Sequence, residues 1–406
     1  MIIGGLPLEE LQGLPLVEVE EGSVRFYVPE VEALRRRKGP STARLPVFYN
    51  PAMELNRDLA VVFLRAVGGA HRVKRVCEPM AGCGVRGVRF AVETEVEWVA
   101  VNDLNPKAAA LTKLNVEKAG VEGKVSVFSL DAEELLCRFS APGKRFDFVD
   151  LDPYGSPAPY LDSCFRAVRR GGFLALTATD TATLCGVNPK ACLRKYGAKP
   201  LKTEYCHELA VRILVGAAVR LAARRDIALK PLFTYSTDHY VRVYLQMFKG
   251  ARKADEALSM LGLLYHCLRC LSRHTLQGLK PYHPAVKCGE CGLSMEAAGP
   301  LWLGSLWHRE TVEAMEAELS KVKLRRLKEA RSLLAKVRLE MEVDVPGYYT
   351  VDRLAEVFHS PPASPVRLVK ALRKEGFKAS LTHFTPQGVR TDAPVKILRR
   401  ILAGLS

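Results

Sequence analysis

The chain has 406 residues, 48% apolar and 26% charged, enough for two or three domains with well-packed soluble cores. Sixty Lys and Arg against 44 Asp and Glu leave a net charge of +16, which favours a polyanionic partner, nucleic acid first. Eleven cysteines, seven of them scattered singly among apolar residues, argue against a disulfide framework and for buried thiols in a reducing cytosol. The opening Met-Ile-Ile-Gly-Gly-Leu has no basic leader, and the most apolar helical stretch, Leu209 to Ala223, is interrupted by Arg212 and Arg220. A membrane span is therefore excluded, and a cytoplasmic protein is expected.

Taken in order, residues 1–45 hold an alternating hairpin, Leu16 to Glu20 and Val24 to Val28, followed by a basic loop of Arg35, Arg36, Arg37 and Lys38. Those four charges read equally as solvated surface or as phosphate contacts. Phe48-Tyr49-Asn50-Pro51 then leads into a helix, Leu59 to Val67. Between 73 and 180 strands and helices alternate. The strands are Val73 to Cys77, Val96 to Val101, Val125 to Phe128, Phe146 to Leu151 and Gly172 to Thr179; the helices include Lys107 to Ala119 and Tyr160 to Val168. This order predicts a doubly wound parallel sheet. A polar loop from Thr181 to Pro200 precedes the helix Glu204 to Ala223, and strands Leu229 to Thr234 and His239 to Phe248 close a domain spanning 46–250. The last strand alternates Tyr240, Arg242, Tyr244, Gln246 and Phe248, as a half-exposed strand should.

Composition shifts after Lys249. In residues 251–406, four cysteines are followed by apolar residues every three or four between 310 and 342, one long helix or a helical hairpin. From Val351 the order is helix, Pro-rich turn, helix and Gly-containing hairpin, a winged-helix-like end.

Two stretches carry chemistry. Gly82-Cys-Gly84-Val-Arg86-Gly87 satisfies G-x-G-x-x-G, which alone suits several nucleotides. Glu78, Asp103 and Asp131, at the ends of three successive strands, suit the cationic groups, the ribose and the adenine of S-adenosyl-L-methionine; Gly82, Gly84, Ala132 and Asp150 complete the expected cofactor set. The plainer alternative is that such acids cap helices. Asp152-Pro153-Tyr154, delivered by the Phe146–Leu151 strand, offers a carboxylate and a backbone carbonyl to an amino group and a ring to its base. It resembles the acid-Pro-Pro-aromatic loop of methyltransferases acting on exocyclic amino groups of nucleobases. A hydride-transfer enzyme leaves Asp-Pro-Tyr unexplained.

With Phe48 to Asp58, Asp150 to Pro157 and Thr177-Ala-Thr-Asp180 through Arg194-Lys-Tyr196, the chain resembles the tRNA (guanine-26, N2)-dimethyltransferase family from about Val47 onward. The resemblance implies a Rossmann-like class I methyltransferase domain of α/β fold and an α+β C-terminal domain that helps hold tRNA through a basic helix, Lys321 to Arg338. It implies that Arg57, Arg86, Asp103 and Asp131 contact S-adenosylmethionine, that Asp152 is the catalytic acid, and that Phe48 and Tyr154 flank the target guanine. Phenylalanine is frequent in the family where Tyr154 stands. An adenine-N6 methyltransferase and a non-enzymatic zinc-ribbon RNA-binding protein are the alternatives.

Cys267-x2-Cys270 and Cys288-x2-Cys291 have the spacing of a two-knuckle zinc ribbon, with four thiolates and hence a structural ion. His266, His274 and His283 read as surface or RNA-facing residues. A monomer without a protein partner is expected.

Overall fold

A computed structural model describes residues 11–30, 46–237, 239–279 and 285–405. Arg35, Arg36, Arg37, Lys38 and His283 lie outside the described residues. The expected hairpin is present as β1 (Leu16–Glu21) and β2 (Val24–Pro29), antiparallel from Leu16 opposite Pro29 to Glu21 opposite Val24.

β3 (Arg75–Glu78), β4 (Trp98–Asn102), β5 (Val125–Phe128), β6 (Phe146–Leu151) and β7 (Val168–Ala178) run parallel, and β8 (Ile227–Thr237) and β9 (Tyr240–Lys249) are an antiparallel pair. Together they form a central mixed sheet in the order β5-β4-β3-β6-β7-β9-β8. Strand order reverses between β3 and β6, and ligands of open α/β sheets bind at the carboxyl ends beside such a reversal. Every residue of β6 is buried, as expected of a parallel strand covered on both faces. The helices are bounded by chemistry visible in the sequence. Asn105 caps Pro106–Ala119 through Lys107 N, and Asp131 caps Ala132–Arg138.

Several expectations need correction. β9 is less exposed than its alternation predicts: Tyr240, Arg242 and Tyr244 are buried and Gln246 and Phe248 half-buried, the rings of Tyr235 and Phe233 on the paired strand lying against Tyr240 and Tyr244. Polar alternation recorded residue type, not environment; Arg242 Nη1 donates to Thr177 Oγ1 at 2.9 Å and its guanidinium lies 4.6 Å from the Tyr244 ring. The loop 181–200 contains two short helices, Thr181–Leu184 and Pro189–Tyr196, each too short to show a period. No basic helix runs from Lys321 to Arg338. Helices Arg309–Glu318 and Leu327–Glu340 are separate, because Val322 and Leu324 are spaced by two and break the helical period. His266 is buried and its imidazole is pushed down to about 4 by burial, so it is not a surface residue.

The chain divides into two compact units, Met1–Pro153 with Tyr160–Leu176 and Glu313–Ser332, and Tyr154–Pro159 with Thr177–Val312 and Leu333–Ser406. The second unit contains two further sheets. β10 (Leu261–His266), β11 (Arg273–Gln277) and β12 (Glu296–Trp302) pair antiparallel in the order β11-β10-β12; the sequence reading had no strands there. β13 (Tyr349–Thr350), β14 (Ala379–Leu381) and β15 (Gly388–Thr391) pair in the order β13-β15-β14. Helices Val351–Phe358, Pro365–Lys374 and Val395–Leu405 share a core with this sheet around Leu354, Leu368, Leu372, Val389 and Leu398. Among the described residues no helix is long and apolar enough to cross a membrane.

Candidate active site

The glycine-rich loop follows β3 and is held from three sides. Gly82 has φ +57, and a Cβ there would lie 2.7 Å from the Phe48 carbonyl oxygen, so only glycine admits the Phe48–Pro51 segment this close. Asn105 Nδ2 donates to the Pro46 carbonyl at 2.6 Å, fixing the same segment from the far side. Asp103 Oδ2 accepts from Gly82 N at 2.8 Å and Oδ1 from Asn105 N at 2.9 Å; burial raises its carboxyl above the ordinary value. Asp131 is exposed and caps its helix, accepting from Glu133 N and Glu134 N, with Ala132 buried as the first helical residue. Capping is thus one task of Asp131, as the plainer alternative holds.

Behind the loop, one guanidinium gathers three acids. Arg86 Nη1 lies 2.7 Å from Asp150 Oδ1, Nη2 donates to Asp152 Oδ2, and Nε is 3.4 Å from Glu78 Oε1. Glu78 Oε2 also accepts from Gly87 N at 2.8 Å. Three carboxylates thus share one buried guanidinium. Burial first, with Asp150 and Asp152 adding to it, pushes Glu78 up to about 8 despite the opposing pull of Arg86.

Arg57 is buried in a neighbouring arrangement that the sequence did not show. Its Nε and Nη2 donate to the two oxygens of Glu21 at 2.7 and 2.5 Å, Nη1 and Nη2 reach the Asn50 carbonyl, and Tyr49 Oη donates to Glu21 Oε1 at 2.9 Å. The N-terminal hairpin, through Glu21, thereby anchors the Phe48–Pro51 segment.

Asp152 engages Arg86 rather than a helix N-terminus, so the capping alternative does not hold for it. The loop that follows is pinned further on: Gly155 N donates to Thr179 Oγ1 at 2.7 Å, and Thr179 N to the Gly155 carbonyl at 2.9 Å. Asp180 in turn accepts from Tyr196 Oη at 2.7 Å and Lys195 Nζ at 3.0 Å. The Thr-Ala-Thr-Asp and Arg-Lys-Tyr stretches, noted only as resemblances, are therefore a support for the Asp152–Gly155 loop. Tyr154 is 81% exposed and Phe48 43%, unusual for large rings.

The family model described as N2,N2-dimethylguanosine tRNA methyltransferase matches residues 22–403. The chain belongs to this family. A tRNA (guanine(26)-N(2))-dimethyltransferase from Methanothermobacter thermautotrophicus is 38% identical, over 96% of this chain and 99% of its own length. A tRNA (guanine(26)-N(2)/guanine(27)-N(2))-dimethyltransferase from Aquifex aeolicus is 36% identical over 92% of both. The structure of Trm1 from Pyrococcus horikoshii in complex with S-adenosyl-L-methionine is 35% identical, with TM-score 0.84 over 95% of this chain and 100% of that one.

This member of the dimethylguanosine methyltransferase family also brings Cys267, Cys270, Cys288 and Cys291 together. Cys267 Sγ is 3.4 Å from Cys291 Sγ, Cys270 Sγ is 3.5 Å from Cys288 Sγ, and all four sulfurs lie within 4.8 Å of one another. Tetrahedral zinc with Zn–S of about 2.3 Å needs S···S of about 3.8 Å, so the donor set fits that ion. Cys267 closes β10 and the other three lie in the turns around it, at a distance in sequence from every acid of the Arg86 cluster. Among residues the sequence reading missed, Asn102 stands out: its amide donates to the Pro79 and Leu130 carbonyls at 2.9 and 3.0 Å and ties two strand-end loops. A polar residue directly before a strand-end acid was its signal.

Proposed function

We propose that this chain transfers methyl groups from S-adenosyl-L-methionine to the exocyclic N2 of guanine 26 in tRNA. The observation that carries the mechanism is Asp152, held at the end of β6 by Arg86, which also meets Asp150 and Glu78. S-adenosylmethionine supplies the electrophilic methyl and brings an ammonium and a sulfonium, charges that the strand-end acids Glu78, Asp150 and Asp152 attract. Glu78, Gly82, Gly84, Asp103, Asp131 and Ala132 line the strand ends assigned to it, with Arg57 and Arg86 acting by holding Asn50 and the acids.

Guanine N2 is a weak nucleophile because its lone pair is delocalised into the ring. Arg86 fixes one oxygen of Asp152, so the other can accept an N–H of the amino group and favour the charge that grows on nitrogen. The Pro153 carbonyl is assigned the second N–H. As the N–C bond forms, the amino proton passes to Asp152 and on to water. Tyr154 and Phe48 present exposed faces for stacking a base taken out of its pair. A second methyl needs a fresh S-adenosylmethionine in exchange for S-adenosylhomocysteine, with the monomethyl product turning its remaining N–H toward Asp152.

The second assignment is structural. Cys267, Cys270, Cys288 and Cys291 hold zinc, and four thiolates leave no place for water, so the ion braces a ribbon and takes no part in methyl transfer. Replacing both Cys267 and Cys270 by serine removes one zinc equivalent. The ribbon, the winged-helix-like end from 349 to 405 and the basic residues Arg35 to Lys38 are assigned to tRNA.

The test is to incubate a tRNA transcript with the protein and S-adenosylmethionine and to map modified nucleosides by tandem mass spectrometry. N2-methylated guanosine at position 26 is expected, and none in a transcript carrying adenosine there. N6-methyladenosine instead would move the reading to adenine; absence of S-adenosylmethionine binding by calorimetry would leave only an RNA-binding protein.

A further inference from the structure

Seven cysteines stand outside the zinc quartet, and two of them meet. Cys185 follows the helix Thr181–Leu184, while Cys206 and His207 open the helix Cys206–Ala223. The turn after Cys185 is made by Gly186 at φ +94, where a Cβ would lie 2.9 Å from Lys202 N. Glycine there lets the two segments close on each other. The consequence is a three-donor cluster: Cys185 Sγ lies 3.7 Å from His207 Nδ1, and the ligand atoms of Cys185, Cys206 and His207 are all within 4.8 Å of one another.

We propose that Cys185, Cys206 and His207 form a second metal site, separate from the quartet, for Zn2+ or a cation of similar softness. A tetrahedral ion with Zn–S of about 2.3 Å and Zn–N of about 2.0–2.1 Å places sulfur and nitrogen about 3.5 Å apart, close to the separation observed. An S–H···N contact needs only Cys185 and His207; the convergence of a third soft donor is what a metal uses. Cys185 is buried while Cys206 and His207 are half-buried, so the cluster has both a dry side and a route for the ion. Three protein donors leave the fourth place for water or another small ligand, unlike the closed quartet.

The placement has a consequence within the same unit. Cys185 lies six residues beyond Thr179, the residue that grips Gly155, and five beyond Asp180, which holds Tyr196. An ion here ties the start of the Cys206–Ala223 helix to the segment leaving β7, and so braces Thr179, the support of Gly155.

The experiment compares the full-length wild type with Cys206→Ser/His207→Ala, both exchanged against excess Zn2+, desalted and analysed by plasma mass spectrometry. The variant is expected to hold one zinc equivalent fewer; equal zinc in the two proteins overturns the proposal. If the variant does not fold, zinc-edge X-ray absorption of the wild type decides. Imidazole scattering alongside sulfur is expected, since the quartet contains no histidine, and sulfur scattering alone overturns the site.

Discussion

Arg86 and Arg390 are both buried, and both sit among carboxylates, yet Glu78 beside the one and Glu208 beside the other respond in opposite directions. Around Arg86 stand Glu78, Asp150 and Asp152, and Glu78 is pushed up to about 8. Arg390 Nη2 lies 2.7 Å from Glu208 Oε2 and 2.9 Å from Glu340 Oε2. Arg212 Nε lies 2.8 Å from Glu208 Oε1, and His383 Nδ1 2.6 Å from Glu340 Oε1. Burial alone would raise Glu208, but Arg390 and Arg212 outweigh it and hold the carboxyl down at about 2. Among the described residues the partners differ: Glu78 shares Arg86 with two other acids, whereas Glu208 lies between Arg390 and Arg212. A carboxylate set between two arginines is suited to holding structure. Acids gathered at strand ends are suited to meeting a cation.

The comparison breaks most visibly at Asp152. Asp152→Ala is expected to lower single-turnover methyl transfer by ~10²–10⁴-fold at saturating cofactor and tRNA, with little change in melting temperature. An early-melting variant with near wild-type turnover would place Asp152 among the structural acids instead. Next in size is Arg390→Met, which leaves Glu208 and Glu340 buried with one charged partner fewer each, Arg212 and His383 remaining. A loss of about 3–5 kcal/mol in denaturant unfolding is expected, with S-adenosylmethionine affinity of the folded fraction unchanged. A loss below ~1 kcal/mol would mean the network is not coupled to the fold.

Glu78 sharpens the contrast through pH. Its folded value of about 8 lies above the ordinary 4.5, so the folded chain binds the proton more tightly than the unfolded one. The stability it contributes is complete below pH 4.5 and is lost as pH rises through about 8, with a slope of up to about 1.4 kcal/mol per pH unit in between. Glu78→Gln should remove that slope from the cofactor-free protein, measured by melting across the window. A cationic cofactor should also expel the proton, so calorimetry of S-adenosylmethionine binding near pH 7 in buffers of different ionisation enthalpy should register proton release. No release would show that Glu78 does not feel the cofactor's charge. The smallest effect is expected at Tyr154. Tyr154→Ala should cost about 1–3 kcal/mol in kcat/KM for tRNA, and Tyr154→Phe almost nothing, if the ring acts by stacking. Equal losses in both variants would point to the hydroxyl.

Much of the first cluster was legible in the sequence. Glu78, Asp150 and Asp152 were read as acids at strand ends because buried parallel strands leave continuous apolar runs, and a strand's end is then visible as the first acid or turn residue after the run. The second cluster was not legible at all. Glu208 and Arg390 are separated by 182 residues, and nothing local marks either as the partner of the other.

What the sequence by itself determined was therefore the periodic and the short-range. Strand and helix order across 73–180 follows from apolar spacing, helix starts at Asn105 and Asp131 from capping, and the cysteine quartet from paired C-x2-C turns, because each depends on neighbours a few residues apart. Only the tertiary structure decided the rest. It set Arg57 on Glu21, 36 residues away, made Thr179 the clasp of Gly155, buried the alternating face of β9, and brought Cys185 to Cys206 and His207. These are pairings of single side chains across long stretches of chain. They leave no period in the sequence, because what selects each partner is the burial and charge of a place that exists only once the sheet and helices have packed.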